Sequence, residues 1–266
     1  MITASNLRKI YPDGTTGLKN LSVTVGPGEI VGVLGPSGAG KTTFFRLLNG
    51  SLLPSGGEIT VLDRSLGRLS RSRLKTLRTQ VALVYQHHNV IPALSVARNV
   101  MLGRLGRLSW WETLRNLVYL READRQRIWQ LLDRMGLADK MFNRCEDLSG
   151  GQQQRVAVAR ALMAEPELVL ADEPIASVDT RTAELILNTF TELADAGKTV
   201  LINLHQVDFA LQYCRRLLVL EHGELVFDGK PGDFTGTELY RDKFARTRGV
   251  NGAVDSAAAK GGAVGA

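Results

Sequence analysis

Short apolar runs, separated by longer stretches with helical spacing, recur along this chain. Their length and composition predict buried strands at 30–34, 81–85, 168–171 and 199–204. The last two runs each follow a helical pattern, at 154–164 and at 180–196. Because strands that alternate with helices pair in parallel, the pattern predicts an α/β fold with a mostly parallel sheet and helices on both faces.

The two ends of the chain carry strand patterns of another kind. Residues 2–34 read as short strands and turns, in which Leu18, Leu21, Val23 and Val25 alternate with their neighbours as in a half-buried strand. Further strands are predicted at 58–62, where the strand would lie at a sheet edge, and at 217–220 and 225–227.

Between these regions, the segment 87–147 loses its strand signals and becomes helical in pattern. We expect a helical lobe at about 87–150 inside one domain that spans residues 2–240. An apolar stripe in this lobe either packs inward or docks on another protein or a membrane surface; it comprises Trp110, Trp111, Leu114, Leu117 and Val118. Ala and Gly dominate from 249 to 266, which predicts a disordered tail.

Composition adds limits to this picture. Hydrophobic residues make up 44% of the 266 and the mean hydropathy is −0.04, as in ordinary globular proteins. No apolar run reaches the roughly 18 residues that span a bilayer, and residues 1–5 lack a secretory pattern, so we expect a cytoplasmic protein. The net charge of +6 fits a mildly basic surface more simply than a nucleic-acid partner. Cys145 and Cys214 lack metal-ligand spacing, and we expect reduced structural thiols.

The strongest chemical signal is the glycine-rich loop after the apolar run 30–34. It comprises Gly35, Pro36, Ser37, Gly38, Ala39, Gly40, Lys41, Thr42 and Thr43. Its glycines allow a tight turn that points backbone N–H groups at oxyanions, and the helix that starts near Lys41 adds its positive end. Lys41 can reach the β- and γ-phosphates of a nucleotide, and the Thr42 hydroxyl can bind Mg²⁺.

Two acids follow the apolar run 168–171. Asp172 stands at the tip of the predicted strand, where it can hold Mg²⁺ directly or through water. Glu173, one residue further, can act as the base that polarises the water attacking the γ-phosphate. Acids at strand ends also serve as helix caps, but beside a phosphate-binding loop the functional interpretation is favoured.

A second phosphate-binding device lies far from the first in sequence. Ser149 precedes a predicted helix as a natural cap, and Gly150 and Gly151 expose backbone N–H groups at the start of that helix. The run continues through Gln152 into a Gln-Gln-Arg sequence, which makes the motif specific.

These motifs, in this order, make the chain similar to the ATPase subunits of ABC transporters from about residue 2 to residue 240. The resemblance implies a P-loop NTPase core with a mostly parallel sheet, an N-terminal antiparallel β subdomain and an α-helical lobe. It implies ATP and Mg²⁺ as cofactors, bound by all nine residues of the loop. Tyr11 would stack on adenine, and Gln86 would be the Q-loop residue that senses the metal and the membrane subunit.

The same resemblance implies roles for the remaining motif residues. Ser149 to Gln152 would be the signature that closes over ATP bound to a second copy. Asp172 and Glu173 would be the Walker B pair. Asp179 would be the acid of the D-loop, and His205 the switch histidine that acts with Glu173 in catalysis.

Within the family, the chain is similar to phosphonate import ATP-binding proteins. This narrower resemblance rests on the run 171–177, on the run 204–211 with its His-Gln-Val-Asp sequence, and on Trp110-Trp111. The family resemblance implies a homodimer with transmembrane permease subunits, a periplasmic or surface substrate-binding protein as an indirect partner, and no nucleic acid. The location would be peripheral, at the cytoplasmic face of the inner membrane.

Three alternatives stay open at this point. The importer could carry phosphate, phosphite or polar amino acids, because cargo is selected by other subunits. The chain could be a non-transporting accessory of phosphonate breakdown. A soluble ABC ATPase acting on DNA or ribosomes is less favoured, since the chain has one cassette and no sustained heptad pattern.

Overall fold

The structure is a computed structural model that describes residues 1–85, 89–108, 111–112 and 120–245. The strands are β1 (Ile2–Ile10), β2 (Thr16–Val25), β3 (Ile30–Leu34), β4 (Gly56–Val61), β5 (Arg64–Ser65), β6 (Val81–Val84), β7 (Leu168–Asp172), β8 (Thr199–Asn203), β9 (Arg216–Glu221) and β10 (Glu224–Gly229). The α-helices are α1 (Lys41–Leu48), α2 (Arg71–Arg78), α3 (Val96–Met101), α4 (Glu122–Arg134), α5 (Gly150–Met163), α6 (Thr180–Asp195), α7 (Val207–Tyr213), α8 (Pro231–Thr235) and α9 (Glu238–Lys243).

Within the described ranges, the strands follow the order β5-β4-β1-β2-β10-β9-β3-β8-β7-β6. The pairs β9/β3, β3/β8, β8/β7 and β7/β6 are parallel, whereas β5/β4, β4/β1, β1/β2 and β10/β9 are antiparallel. The parallel strands are the apolar runs of the sequence, and the antiparallel block comes from the N-terminal part. The predicted P-loop core with an antiparallel β subdomain is confirmed.

The two parts of the sheet meet along a narrow seam. Strand β10 pairs with β2 at one recorded position, Glu224 with Asn20, in parallel orientation. The backbone N–H of Lys19 adds a bond to the carbonyl of Gly223 at 2.9 Å. The antiparallel block therefore joins the parallel block over one or two residues.

Apolar side chains cover both faces of the parallel strands. In β3, Ile30 and Leu34 belong to one buried cluster and Val31 and Val33 to the other, because successive side chains of a strand point to opposite faces. Helix α1 packs on the second face with Phe44 and other side chains, and α6 packs on the first. This double coverage explains why the parallel strands are apolar without alternation.

Several local predictions differ from the structure. The prediction of an edge strand at 58–62 is wrong, because β5 pairs with β4 on its outer side. The strands within residues 2–34 are longer than predicted, with nine residues in β1 and ten in β2. Helices α7, α8 and α9 were not predicted, because they have only five to seven residues and show little periodicity.

The helical region is described in part. Residues 109–110 and 113–119 lie outside the described ranges, and with them Trp110, Leu114, Leu117 and Val118 of the apolar stripe. Trp111 is described and is 66% exposed. Residues 246–266 also lie outside, so the lobe boundaries and the disordered tail stay predictions. Among the described helices, none has both the length and the apolar composition to cross a bilayer.

Candidate functional site

The site lies at the carboxyl ends of three neighbouring parallel strands. Strand β3 runs into the glycine-rich loop, β7 ends at Asp172, and β8 ends at Asn203. Because parallel strands place their carboxyl ends at one edge of the sheet, three remote segments converge there. A cavity of about 280 Å³ opens at this edge, lined by Tyr11, Thr15–Gly17, Ser37–Thr43, Glu173 and His205.

The glycine-rich loop is held tightly against its surroundings. Gly35 has φ of +148°, and a Cβ there would lie 2.2 Å from the Leu220 carbonyl oxygen. Gly40 has φ of +104°, and a Cβ there would lie 2.5 Å from the Gly17 carbonyl oxygen. Both positions therefore require glycine, for backbone conformation and for space.

Helix α1 begins at Lys41 with Gly40 before it, and no side chain caps its first turn. The first N–H groups of such a helix lack intrahelical partners and carry the positive end of the helix dipole. Residues 41–43 line the cavity, so this helix start is presented to an anion. The loop and helix start thus have the geometry that the predicted phosphate cradle requires.

The Lys41 side chain folds back over the loop. Its Nζ donates to the carbonyl oxygens of Gly35 at 2.6 Å and Pro36 at 3.0 Å. Lys41 is only 5% exposed, and this burial lowers the pKa of its ammonium group, while the charges of Glu173 and Asp172 raise it. The two acids are therefore close enough to interact with Lys41.

Asp172 is oriented by a residue that the sequence reasoning missed. Asn203, at the end of β8, donates from Nδ2 to Asp172 Oδ1 at 2.5 Å, and the two residues are register partners in the sheet. Asn203 is fully buried, and its Oδ1 has no hydrogen-bond partner among the described residues. A polar residue at the end of the apolar strand 199–204 was the signal that could have revealed it.

Glu173 and His205 meet inside the cavity. His205 Nε2 lies 2.5 Å from Glu173 Oε1, and because an ionised carboxylate only accepts, a hydrogen bond between them requires the proton on Nε2. Glu173 has φ of +55°, a left-handed conformation that is uncommon for a residue with a side chain. Its backbone N–H donates to the carbonyl of Asn203 at 3.1 Å. The structure thus brings together the two residues that the sequence paired in catalysis.

Tyr11 lines one wall of the cavity, next to the start of α1. Its hydroxyl lies 3.0 Å from Thr43 Oγ1, and Lys9 Nζ lies 5.7 Å from the centre of its ring. Thr15, Thr16 and Gly17 line the same wall, and sequence reasoning did not single them out. The Thr-Thr-Gly run follows the turn at 12–14, so its place beside the loop could be found only from strand pairing.

The second glycine motif lies elsewhere. Ser149 caps α5: its Oγ accepts from the Gln152 N–H at 3.4 Å, and Gln152 Oε1 accepts from the Ser149 N–H at 3.0 Å. The predicted cap is present as a reciprocal capping box. Ser149, Gly150, Gly151 and Gln152 are absent from the lining of the described cavity beside Lys41.

Asp179 belongs with this second motif. It caps α6, where Oδ1 accepts from the Thr182 N–H at 2.9 Å and Oδ2 accepts from Thr182 Oγ1 at 2.8 Å. The Thr182 hydrogen bonds lower the pKa of the Asp179 carboxyl. A Cβ on Gly151 would lie 3.7 Å from Asp179 Oδ2, so the two are neighbours. One chain therefore holds two separate groups of motif residues.

Gln86, expected to contact the metal and the membrane subunit, lies outside the described residues, as do His87 and His88. Its neighbour Tyr85 follows directly on β6, next to β7 in the sheet. The roles assigned to Gln86 therefore stay predictions.

Comparison with known proteins identifies the family to which these motifs belong. The family described as ABC transporter matches residues 18–176. Phosphonates import ATP-binding protein PhnC 2 of Oceanobacillus iheyensis is 41% identical over 246 residues, covering 91% of this chain and 93% of that protein. The PhnC protein of Hydrogenovibrio crunogenus is 43% identical over 235 residues, covering 88% of this chain and 85% of that protein.

Solved structures agree with the fold. The ATP-binding cassette MJ0796, in a dimeric post-hydrolysis state bound to ADP and Pi, has a TM-score of 0.78 at 31% identity, over 87% of this chain and 99% of that chain. The protein cbiO1 from Clostridium perfringens, part of the ABC transporter complex cbiONQ, has a TM-score of 0.76 at 28% identity, over 96% of this chain and 98% of that chain.

Proposed function

Because this chain belongs to the ABC transporter family, as an ATP-hydrolysing subunit of an importer, we propose that it powers the uptake of phosphonates through a membrane permease. The observation that supports the cargo is the naming of relatives 41% and 43% identical to the chain as phosphonate import proteins. The observation that supports the chemistry is the Glu173–His205 pair beside the phosphate cradle.

ATP would bind with its phosphates on the glycine-rich loop. The first-turn N–H groups of α1 would face the phosphate oxygens, and Tyr11, which lines the same cavity, would stack on the base. The Lys41 ammonium would exchange its bonds with the Gly35 and Pro36 carbonyls for bonds with the β- and γ-phosphates. The buried position of Lys41 strengthens this charge interaction.

Residues at the site also fit a Mg²⁺ ion. Such an ion prefers oxygen ligands, and nucleotide sites usually hold it by one or two protein oxygens plus the phosphates. Thr42 offers a hydroxyl, and Asp172 offers a carboxylate that Asn203 already orients. Described residues contain no cluster of three or more His, Cys, Asp or Glu that could hold a metal without the nucleotide. Bound there, the ion would neutralise charge on the β- and γ-phosphates.

Hydrolysis would proceed with Glu173 as the general base. Its carboxylate would accept a proton from the water that attacks the γ-phosphate. His205, whose Nε2–H donates to Glu173, would orient the carboxylate and contact the γ-phosphate once the nucleotide is bound. Departure of the phosphate removes negative charge from the site, and this favours separation of the two copies that enclose the nucleotide.

The second group of motif residues, Ser149 to Gln152 with Asp179, would act on the nucleotide bound to another copy. Ser149, Gly150 and Gly151 present a capped helix start that is separate from the cavity of their own chain. Two copies facing head to tail would place each such helix start over the phosphates held by the other. This homodimer would bind permease subunits at the cytoplasmic face of the membrane. A substrate-binding protein would deliver the cargo to those permease subunits.

The enzymatic part of the proposal is tested with Glu173→Gln. Removing the base is expected to lower the ATP turnover rate about 100- to 10,000-fold while leaving ATP binding intact. Light scattering should then find a stable dimer with ATP and a monomer without it. Hydrolysis at the wild-type rate by this variant would refute the assignment of Glu173 as the base.

The two-copy site is tested by adding Ser149→Asp to Glu173→Gln. Aspartate caps a helix as well as serine does, so the fold should keep its Tm. Its negative charge would oppose the partner's phosphates, so the ATP-dependent dimer should disappear while each chain still binds ATP. A dimer that survives the second substitution would contradict the proposed arrangement.

The cargo is tested in cells. A strain without this chain should lose growth on a phosphonate as sole phosphorus source and keep growth on phosphate. Loss of growth on phosphate, phosphite or a polar amino acid instead would favour an importer for that solute. Normal uptake with impaired breakdown would favour the accessory role.

A further inference from the structure

Gln154 is a buried polar side chain in helix α5 that the mechanism above does not use. It is 1% exposed and follows the signature residues 149–152 by two positions. Its Nε2 donates to the Pro174 carbonyl at 2.8 Å and to the Tyr85 carbonyl at 3.3 Å. One amide group thus joins the signature helix to the ends of two strands, β7 and β6.

The contact with Pro174 falls directly beside the proposed base. Glu173 has φ of +55°, which costs free energy, so surrounding contacts must hold it. Its N–H donates to the Asn203 carbonyl, and its carbonyl accepts from the Ala176 N–H at 3.3 Å. The ring of Pro174 fixes φ, so ψ is the one free backbone rotation between the anchored Pro174 carbonyl and the peptide plane that follows Glu173, and anchoring this carbonyl narrows the orientations open to that plane.

The contact with Tyr85 has a counterpart further along the same helix. Arg160, six residues after Gln154, donates from Nη1 to the Asn89 carbonyl at 2.6 Å. Arg160 is half-buried, and this burial lowers the pKa of its guanidinium. Helix α5 therefore hydrogen-bonds to the backbone at Tyr85 and at Asn89. The Gln154 amide that donates to Tyr85 also donates to Pro174, directly after Glu173.

We propose that Gln154 is a positioning residue that fixes the position of the Glu173 backbone relative to the signature helix α5. The proposal rests on the function proposed above, in which Glu173 is the base. A helix that moves when its N-terminus meets the partner's nucleotide would carry the Pro174 carbonyl with it through this amide. The carboxylate of Glu173 would then reach its catalytic position only when the signature is engaged.

The test compares Gln154→Met with Gln153→Met. Methionine keeps the length and volume of the side chain and removes both the amide donor and the amide acceptor. Gln153 is a matched control, because its Nε2 also donates to two carbonyls, those of Cys145 and Leu148, but neither lies near Glu173. Each variant loses two hydrogen bonds to backbone carbonyls of described residues, so both should have a lower Tm than wild type. A purely structural role would therefore affect the two alike.

Steady-state ATPase kinetics then separate positioning from packing. Gln154→Met is expected to lower kcat about 10- to 100-fold, because misplacing a catalytic group by about 1 Å has an effect of that size. Its KM for ATP should change less than about threefold, since the phosphate cradle is untouched. Gln153→Met should keep kcat within about threefold of wild type. In the Glu173→Gln background, Gln154→Met should still dimerise with ATP.

A second variant covers the case in which Gln154→Met does not fold. Gln154→Glu keeps the shape of the side chain but can donate only when its carboxyl is protonated. Burial raises the pKa of such a carboxyl, so the ratio of its kcat to that of wild type should rise between about pH 8 and pH 6. A flat ratio would count against the proposal.

Two further results would overturn it. Wild-type kcat in Gln154→Met, or equal losses of kcat in Gln154→Met and Gln153→Met, would show that the amide only stabilises the fold. If the wild-type chain itself lacks ATPase activity, the proposed function fails and this inference fails with it. An active wild type with an indifferent Gln154 would remove the inference alone.

Discussion

Asn99 offers a direct test of how the helical region is held together. It lies in α3 and is completely buried. Its Oδ1 accepts from the Ile91 N–H at 2.8 Å, and its Nδ2 donates to the carbonyls of Ile91 at 3.0 Å and Ser95 at 3.3 Å. The same Nδ2 lies 3.4 Å from the Leu94 carbonyl and 3.1 Å from Cys145 Sγ.

These bonds support two chain segments that run side by side ahead of the signature. The Cys145 N–H donates to the Leu94 carbonyl at 3.1 Å, and the Val96 N–H donates to the Asn143 carbonyl at 2.9 Å. Cys145 lies four residues before Ser149. Asn99 therefore stabilises the segment that leads into the signature helix.

Asn99→Leu removes every polar atom of this side chain at similar volume. The Ile91 N–H loses its acceptor, at a cost of about 1 to 3 kcal/mol, and the donated bonds contribute about 1 kcal/mol more. The free energy of unfolding should fall by about 2 to 4 kcal/mol, a large share of the roughly 5 to 15 kcal/mol available to a domain. For a domain of this size, Tm should fall by roughly 4 to 16 °C.

Differential scanning calorimetry measures this effect, with Asn188→Ala as the control. Asn188 is exposed on α6, so its substitution should change the free energy of unfolding by less than about 0.5 kcal/mol. An unchanged Tm in Asn99→Leu would refute the reasoning, as would equal shifts in the two variants.

Two more predictions follow from the site and the core. Gly40→Ala should abolish binding of a fluorescent ATP analogue, because the new Cβ would lie 2.5 Å from the Gly17 carbonyl oxygen; Gly67→Ala, which has open space around it, should bind normally. Burial raises the pKa of the Cys145 thiol from 9.0 to about 11, so the unfolded chain loses this proton first and stability should fall between about pH 9 and pH 11. Urea titrations should find a weaker pH dependence in Cys145→Ala, and an identical one would contradict the assignment.

Sequence reasoning located the strands and the tight glycine-rich loop because their signals are local. A buried parallel strand is apolar on both faces, and a phosphate loop requires glycine where φ is positive, as at Gly35 and Gly40. The cap at Ser149 likewise depends on residues that are close together in the sequence. Both cysteines are buried, free thiols, as predicted from their number and spacing.

The remainder depends on contacts between remote segments. Asn203 bonds Asp172 across 31 residues, and Gln154 reaches Tyr85 across 69, so neither contact has a local signature. The register of β4 with β5 likewise depends on a strand of two residues. Short helices such as α9 are stabilised by packing, here around Phe234, rather than by their own periodicity.

The narrow seam between β10 and β2 has a consequence for dynamics. Tyr11 stands on the antiparallel side of the seam and the phosphate cradle on the parallel side, and the backbone ladder between these halves covers one or two residues, while the Tyr11 hydroxyl contacts Thr43 across it. A nucleotide that touches both halves would act as a cross-brace. Amide protons near Asn20 should then exchange slowly with solvent only while ATP is in place, and loosening after hydrolysis would be an intrinsic property of the sheet.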